Sequence, residues 1–585
     1  MAKPNHFHQT AVNWKFDECT FEEGLDKVVA YGDASGKCPT YQPRIPPCTN
    51  ACPAGEDIRG YNNIVRGVWK SEDPYATAFY RLTTKNPFPA VMGRVCPAPC
   101  QGACNRQYRD ETIGINAIEH AIGQYAIEKD LQYEKPTAST GKKVAIVGGG
   151  VGGLSCAYQL MLKGHSVTLY ERDPKLGGML RYGIMGYRVD RGVMDKEIAR
   201  IVNLGLDVKT GVTLGKDVTL DQLRSDYDAV FLATGAQKGR GLPIPGAEGP
   251  GATNAISFLR DFEYNGGIEE DGASKVTIGK KVVVIGDGDV AMDVARLSLR
   301  LGSEAVLLSA VAQEEMNCSQ FEFDEAKAEG TDMRFCTGSV EIVRDGSGNI
   351  TGIKTVEMER KEKGEDGWNH AVPFMRYKPK AGTEATIECD MVVAAIGQTT
   401  DTAGFEAATD GTPFQQVDHN FQVKGMDNVF AGGDSVQIHL LTTAIGQGRK
   451  AAESIDLLIN GKALPKKPSK PDVVPYEKLK WDYFVNKPQA KRTLSHPSVV
   501  EGNWQETLSM LSQQEASEEA DRCMSCGMCF ECKQCELYCP QDAITMFKGN
   551  PEGQVMYTYY ERCIGCHICS ESCPTGYIDM GMGNG

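Results

Sequence analysis

Hydrophobic and polar positions repeat one compound pattern twice along the chain. KKVAIVGGGVGGLSCAYQLMLKGHSVTLYERD, residues 142–173, opens on an apolar run, breaks at glycines, continues with apolar residues at helical spacing and closes on a second apolar run. KKVVVIGDGDVAMDVARLSLRLGSEAVLLSAV, residues 280–311, does the same. Each predicts a strand, a tight turn, an amphipathic helix and a parallel strand. AVFLATGA, ending its apolar run before Gly235, and VFAGGDSV, carrying Gly433 and Asp434, predict two further short strands that close on glycine. Residues 463–520 carry Pro and Lys with little periodicity until NWQETLSMLSQQEASEEADR. That composition predicts a stiff, extended spacer that leaves whatever follows as an appended, mobile module.

The glycines give the two repeats a chemistry. In the first, Gly148, Gly150 and Gly153 permit a tight turn and close approach of a pyrophosphate to a helix N-terminus, and Glu171 stands where an acid takes ribose hydroxyls. In the second, Gly286, Gly288 and Ala291 hold the equivalent turn. Two such units imply two dinucleotides.

Composition narrows the class. Of 585 residues, 41% are hydrophobic and 24% charged, the profile of a globular chain long enough for several cores. A net charge of -15 disfavours nucleic acid and anionic membrane surfaces. No run approaches the roughly 18 apolar residues of a membrane span, and MAKPNHFHQTAVNWKFDE lacks a signal-peptide core. The expected location is the cytoplasm, where 21 cysteines should not pair as disulfides. Cys156, Cys318, Cys336 and Cys389 read as buried packing thiols; the remaining cysteines crowd toward the two ends and call for metal.

At the C-terminal end, RCMSCGMCFECKQCELYCP and CIGCHICSESCP each contain a C-x2-C-x2-C-x3-C-P register. In two-cluster ferredoxins the fourth cysteine of each run serves the other cluster, which gives the sets Cys529, Cys532, Cys535, Cys573 and Cys539, Cys563, Cys566, Cys569. Cys523 and Cys526 fall outside this register and read as packing thiols, with a shifted-register ligand role as the alternative. His567 reads as a hydrogen-bonded neighbour of the cluster. Near the N-terminus, PPCTNACPAG supplies Cys48 and Cys52, and GRVCPAPCQGAC supplies Cys96, Cys100 and Cys104, with Cys38 upstream. Proline-flanked cysteines at this spacing suit iron-sulfur ligation, with zinc as the competing metal.

The order of first fingerprint, Ala-Thr-Gly, second fingerprint and Gly-Asp resembles the two-dinucleotide-binding-domain flavoproteins. NPFPAVMGRVCPAPCQGAC and IGINAIEHAIGQYAIE resemble the N-terminal helical domain of the glutamate synthase small subunit, shared by the NADH-dependent ferredoxin-NADP transhydrogenase and dihydropyrimidine dehydrogenase. The resemblance implies a multidomain α/β fold. It would comprise a helical iron-sulfur domain over residues 1–140, an FAD-binding Rossmann-like domain over 141–270 and 392–462, and an NAD(P)-binding domain inserted at 271–391. A linker over 463–520 and a ferredoxin-like α+β domain over 521–585 would complete it. It further implies that Asp434 lies at the FAD ribityl and pyrophosphate region and that GGMLRYGI, with Gly178 and Met179, wraps the flavin. One N-terminal [4Fe-4S] cluster would take Cys52, Cys96, Cys100 and Glu119. A second would take Cys48, Cys104 and two upstream cysteines, for which this chain offers Cys38 and, within FDECTFEEG, Cys19, leaving its ligand set open.

In the resembling branch two arginines clamp the NADPH 2′-phosphate; Ala310 and Val311 take their places, which favours NAD(H) over NADP(H). No catalytic acid or base is needed, because FAD converts hydride into single electrons for up to four clusters. The added ferredoxin module is similar to the NAD(P)H:acceptor oxidoreductases that accompany reverse dissimilatory sulfite reductase. That likeness implies a redox protein partner, dissimilatory sulfite reductase or a similar enzyme. An electron-donating subunit of glutamate synthase or of another reductase is the second reading, and a non-enzymatic redox scaffold the third. A homo-oligomer is compatible with any of them.

Overall fold

A computed structural model of the chain describes residues 35–267, 274–467, 469–494, 500–547 and 556–582. Cys19 lies outside the described residues.

Short helices make up the N-terminal region, and four of them begin at a proline of the sequence, Pro47–Ala51, Pro74–Thr83, Pro89–Val95 and Pro99–Gly102. Proline suits that position because its missing N–H has no partner in a first turn. The longer helix Ile115–Glu128 packs across Pro89–Val95 so closely that a Cβ on Gly123 would lie 2.2 Å from Ala90 N and one on Gly93 would lie 2.4 Å from His120 N. Glycine on both faces lets the two backbones touch.

The first repeat forms a five-stranded parallel sheet in the order Val429–Ala431, Ala229–Leu232, Lys143–Val147, Ser166–Glu171, Asp207–Thr210. The strand carrying Gly-Asp, late in the sequence, thus completes the sheet begun by the first fingerprint. The second repeat forms its own parallel sheet, Asp332–Arg334, Glu304–Leu308, Lys281–Ile285, Met391–Ala394, Ala252–Asn254. Strands Ala252–Asn254 and Met391–Ala394 extend this inserted unit past its expected limits of 271 and 391 at both ends. Helix Ala255–Tyr264 follows it, burying Phe258, Leu259 and Phe262 in the inserted unit's core. An antiparallel sheet built on Thr337–Arg344 and Ile350–Arg360 covers one side.

The segment after residue 462 is not a free spacer. Val474 N donates to Ile45 O at 3.1 Å, Lys480 N to Pro574 O at 3.1 Å and Lys487 N to Asp110 Oδ2 at 3.1 Å. Gln489 N donates to Glu111 Oε2 at 2.8 Å, and Trp504 stacks on Phe262. The backbone is satisfied by distant partners rather than by its own repeat, which makes it a strap laid along the other units. The ferredoxin unit is likewise docked: Cys38–Tyr41 pairs antiparallel with Ile578–Gly581, and Arg44 N donates to Gly527 O at 3.0 Å. No helix among the described residues is long and apolar enough to cross a membrane.

Candidate cofactor sites

The first fingerprint opens into a cleft lined by Gly148, Gly150, Glu171, Gly178, Met179, Gly235, Gly433 and Asp434; Gly153 is not part of that lining. The glycines do different work. Gly148 has φ +107°, and a Cβ there would lie 2.2 Å from Ala233 O; a Cβ on Gly153 would lie 2.0 Å from Gly148 O. Both are required by the turn itself. Gly150 has no such constraint: its Cβ would find Gly178 Cα at 3.9 Å and nothing nearer in the protein. Its bareness faces the cleft, at the N-terminus of Val151–Leu162, where a pyrophosphate would sit. Glu171 Oε2 accepts from Gly149 N at 2.7 Å and Oε1 from Asp173 N at 2.8 Å, and burial pushes its carboxyl pKa up. Asp434, raised by burial to about 6, accepts from His439 N at 3.1 Å. Gly433 N donates to Gln447 Oε1 at 2.6 Å, fixing the loop below the helix Leu441–Ile459.

The second fingerprint repeats this division. Gly286, at φ +145°, would bring a Cβ to 2.3 Å from Ala395 O, while Gly288 has no atom within 4 Å of that position. Ala291 is buried in the helix Asp289–Arg300. Asp289 Oδ1 accepts from Ser319 N at 2.7 Å, so this acid holds the start of the helix Gln320–Ala328 against the second fingerprint. Ala310 is half-buried, but Val311 turns into a core with Val356, Met358 and Tyr377 and is 0% exposed. Only position 310 therefore faces outward at the place expected for a phosphate clamp. The nearby cations Arg360 and Arg376 stand 2.9 and 3.0 Å from Glu315 Oε1.

Among the described residues, the cysteines near the two ends form four groups. Cys529, Cys535 and Cys573 lie in one small core with Cys539, Cys563, Cys569, Ile544 and Tyr577, with Cys532 and Cys566 close by. A third group brings Cys52, Cys96 and Cys100 near Glu119 and near a second carboxylate, Glu56. Asn86 Nδ2 donates to Glu56 Oε1 at 2.9 Å and to Glu119 Oε1 at 3.0 Å. Burial raises Glu56 to about 7 and pushes Glu119 well up. The fourth group departs from expectation. Cys38 stands with the ferredoxin unit beside Cys563, on the strand paired with Ile578–Gly581, while Cys104, Cys523 and Cys526 lie near Cys48. His567 Nε2 lies 2.8 Å from Ser35 Oγ, a hydrogen-bonded neighbour of the cluster residues. Among the described residues no three Cys, His, Asp or Glu side chains converge as one metal ion requires. Donor sets made almost wholly of cysteine suit thiolates on the corners of a cubane.

The sequence family Pyridine nucleotide-disulphide oxidoreductase matches residues 142–448. The chain belongs to that family. Dihydropyrimidine dehydrogenase domain II, 4Fe-4S cluster, matches residues 20–131, and 4Fe-4S dicluster domain matches 528–577. The NADPH-Fe(3+) oxidoreductase subunit beta of Geobacter sulfurreducens is 31% identical over 82% of this chain and 75% of its own length. The glutamate synthase [NADPH] small chain of Bacillus subtilis is 33% identical over 71% and 87%. The NADP(+)-dependent formate dehydrogenase subunit beta of Moorella thermoacetica is 35% identical over 71% of this chain, and the match spans 60% of that subunit. Among solved structures, FprA from Mycobacterium tuberculosis aligns at TM-score 0.46 and 19% identity over 55% of this chain and 85% of its own.

This member of the pyridine nucleotide-disulphide oxidoreductase family is an FAD-dependent NAD(P)H oxidoreductase with iron-sulfur clusters. The residues present fit those groups: bare glycine at 150 and 288 leaves room for two pyrophosphates, and the donor sets are dominated by sulfur. Glu56 and Asn86 were not singled out from sequence. The one available signal was the acid four residues after Cys52, in CPAGE.

Proposed function

We propose that this chain passes electrons between NADH, FAD and its [4Fe-4S] clusters, to or from a protein partner, and that the partner is a dissimilatory sulfite reductase. The observation that carries the electron path is a backbone contact. A Cβ on Gly446 would lie 2.0 Å from Pro53 O, and Arg449 Nε donates to Ala54 O at 3.3 Å. Gly446 and Arg449 belong to Leu441–Ile459, whose first turn, Leu441 and Ala444, lines the FAD cleft. Cys52 therefore stands one helix away from the cleft that would hold the flavin. Bound FAD supplies hydride exchange with the nicotinamide and one-electron exchange with the clusters. The chain's own residues hold the dinucleotides against their two turns and keep the Cys52 group beside the cleft.

Ala310, the buried Val311 and the pairing of Arg360 and Arg376 with Glu315 support NADH over NADPH, since a 2′-phosphate would find no free cation from these residues. The docked ferredoxin unit supports a protein partner. The likeness to the Bacillus subtilis small chain favours a glutamate synthase large subunit as the second candidate. The test is viologen reduction by anaerobically reconstituted protein with NADH and with NADPH, then NADH oxidation with sulfite and a dissimilatory sulfite reductase. Sulfite-dependent turnover supports the sulfite reductase partner; turnover only with a synthase large subunit, glutamine and 2-oxoglutarate replaces it, and no reaction of either nucleotide with dye sinks the path.

A further inference from the structure

Two cysteines that the ferredoxin register leaves over come to rest against two that the N-terminal region leaves incomplete. Cys48 sits on Pro47–Ala51, and Cys104 precedes the turn Asn105–Tyr108. Cys523 and Cys526 follow the helix Gln513–Asp521, which packs on Ile58–Val65 and Ile115–Glu128. We propose that Cys48, Cys104, Cys523 and Cys526 ligate one [4Fe-4S] cluster, closed across the seam between the N-terminal helical region and the ferredoxin unit.

The loop that brings the second pair is held from the N-terminal side at nearly every residue. Arg106 Nη1 donates to Arg522 O at 2.8 Å, Arg66 Nη1 to Cys523 O at 2.5 Å and Arg59 Nη1 to Cys526 O at 2.7 Å. Between the cysteines, Ser525 adopts φ +48° and donates to Asn63 Oδ1 at 2.7 Å, while Met524 is buried against Val474, Leu479 and Phe484. Cys48, Cys104 and Cys523 pack on the same core, and Cys526 lies near Cys48 and Cys104. Asn105 Nδ2 lies 3.9 Å from Cys526 Sγ. A cubane with four thiolates carries net negative charge, and Arg59 and Arg522 act electrostatically on this thiol group. A packing role for the same thiols would need none of this polar scaffolding.

Cys38 is excluded from the set by the strand pairing that holds it beside Cys563. The ligands also place the cluster between its neighbours. Cys48 and Cys52 are one helical turn apart, as are Cys100 and Cys104, and Cys526 precedes Cys529 by three residues. The flavin-side group and the ferredoxin groups are thus joined through it. The ligand assignment stands on geometry; its use as a relay rests on the proposed function.

The full chain, reconstituted anaerobically, should hold about sixteen iron atoms when four cubanes are filled. Cys523→Ser with Cys526→Ser should lose a quarter of the iron and acid-labile sulfide and one component of the reduced EPR spectrum, with the flavin still bound. Cys38→Ser should keep all of them. Because the double variant can fail by misfolding, Cys526→Ser alone is paired with it: one missing ligand should give a [3Fe-4S] EPR signal on mild oxidation that the wild type lacks. Full iron and an unchanged spectrum in both Cys523 and Cys526 variants, or loss of a cluster in Cys38→Ser, would overturn the assignment. Dye activity does not enter this test, so failure of the proposed function leaves its outcome intact.

Discussion

Arg522 Nη2 reaches Asp110 Oδ1 at 3.2 Å, across 412 positions of sequence. Asp110 also accepts from Arg106 Nε at 2.7 Å, and both arginine side chains are 2% exposed. One carboxylate thus serves two buried guanidinium groups, one on each side of the seam. Asp110→Asn should loosen the ferredoxin unit by roughly 3 kcal/mol, because it leaves buried charge uncompensated. Limited proteolysis at pH 7 should cut the variant's strap faster than the wild type's; equal rates would show that Glu519, which also pairs with Arg522, suffices. Burial opposes ionisation of Asp110, but hydrogen bonds from Arg106 and Lys487 N pull its pKa below the usual carboxylate range. Its contribution is therefore complete above about pH 4 and is lost only as pH falls through that lowered value.

Gly150 and Gly153 separate ligand binding from folding. Gly153→Ala would drive a methyl into Gly148 O and should lower both the melting temperature and the flavin content. Gly150→Ala meets no protein atom closer than 3.9 Å, so the flavin-free protein should melt as the wild type does. Its methyl instead occupies the pyrophosphate's approach, and FAD affinity should fall about tenfold or more, roughly 1.4 kcal/mol. Equal FAD affinity by fluorescence titration would move the pyrophosphate away from this turn.

What could be read from sequence was what local sterics dictate. Gly148 and Gly286 belong to turns whose geometry is written within a few residues, so both dinucleotide units and their order were legible. The ferredoxin unit was legible for the same reason, since Pro540 and Pro574 fix its register. The neighbours of Cys48 were not, because Cys523 arrives through a strap whose docking hydrogen bonds reach distant chain. Residues 474–494 have no period to read: their partners are Ile45, Asp110, Glu111 and Pro574, and only the folded molecule supplies them. Ala252–Asn254 was missed because three residues carry no alternation. Val311 looked like a pocket residue by counting and proved to be core.

That last difference changes the design of a specificity test. An arginine at 311 would have to enter the core of Val356, Met358 and Tyr377, whereas Ala310 is half-buried at its edge. Ala310→Arg alone should therefore raise the NADPH to NADH ratio of kcat/KM by about tenfold, the scale of one new charge-assisted contact of roughly 1.5 kcal/mol. Combining it with Glu315→Gln, which frees Arg360 and Arg376, should raise it further. An unchanged ratio in both variants would place the 2′-hydroxyl elsewhere.

Glu197 supplies a pH dependence that belongs to the fold rather than to the cofactors. It is 0% exposed and accepts from Ala90 N at 2.9 Å and Val91 N at 3.0 Å, covering the first turn of Pro89–Val95, which has no side-chain cap of its own. Burial raises its carboxyl from 4.5 to about 7, against the opposing pull of Arg200. The folded state therefore holds a proton that the unfolded chain releases, and this residue's contribution falls as pH rises from 4.5 toward 7. The change across that window is on the order of 3 kcal/mol. Glu197→Gln removes the titration and should melt lower than the wild type at pH 5, having lost one backbone acceptor, yet its midpoint should decline less between pH 5 and pH 7.5. Parallel melting curves for the two proteins would show that Arg200 keeps the carboxylate ionised throughout.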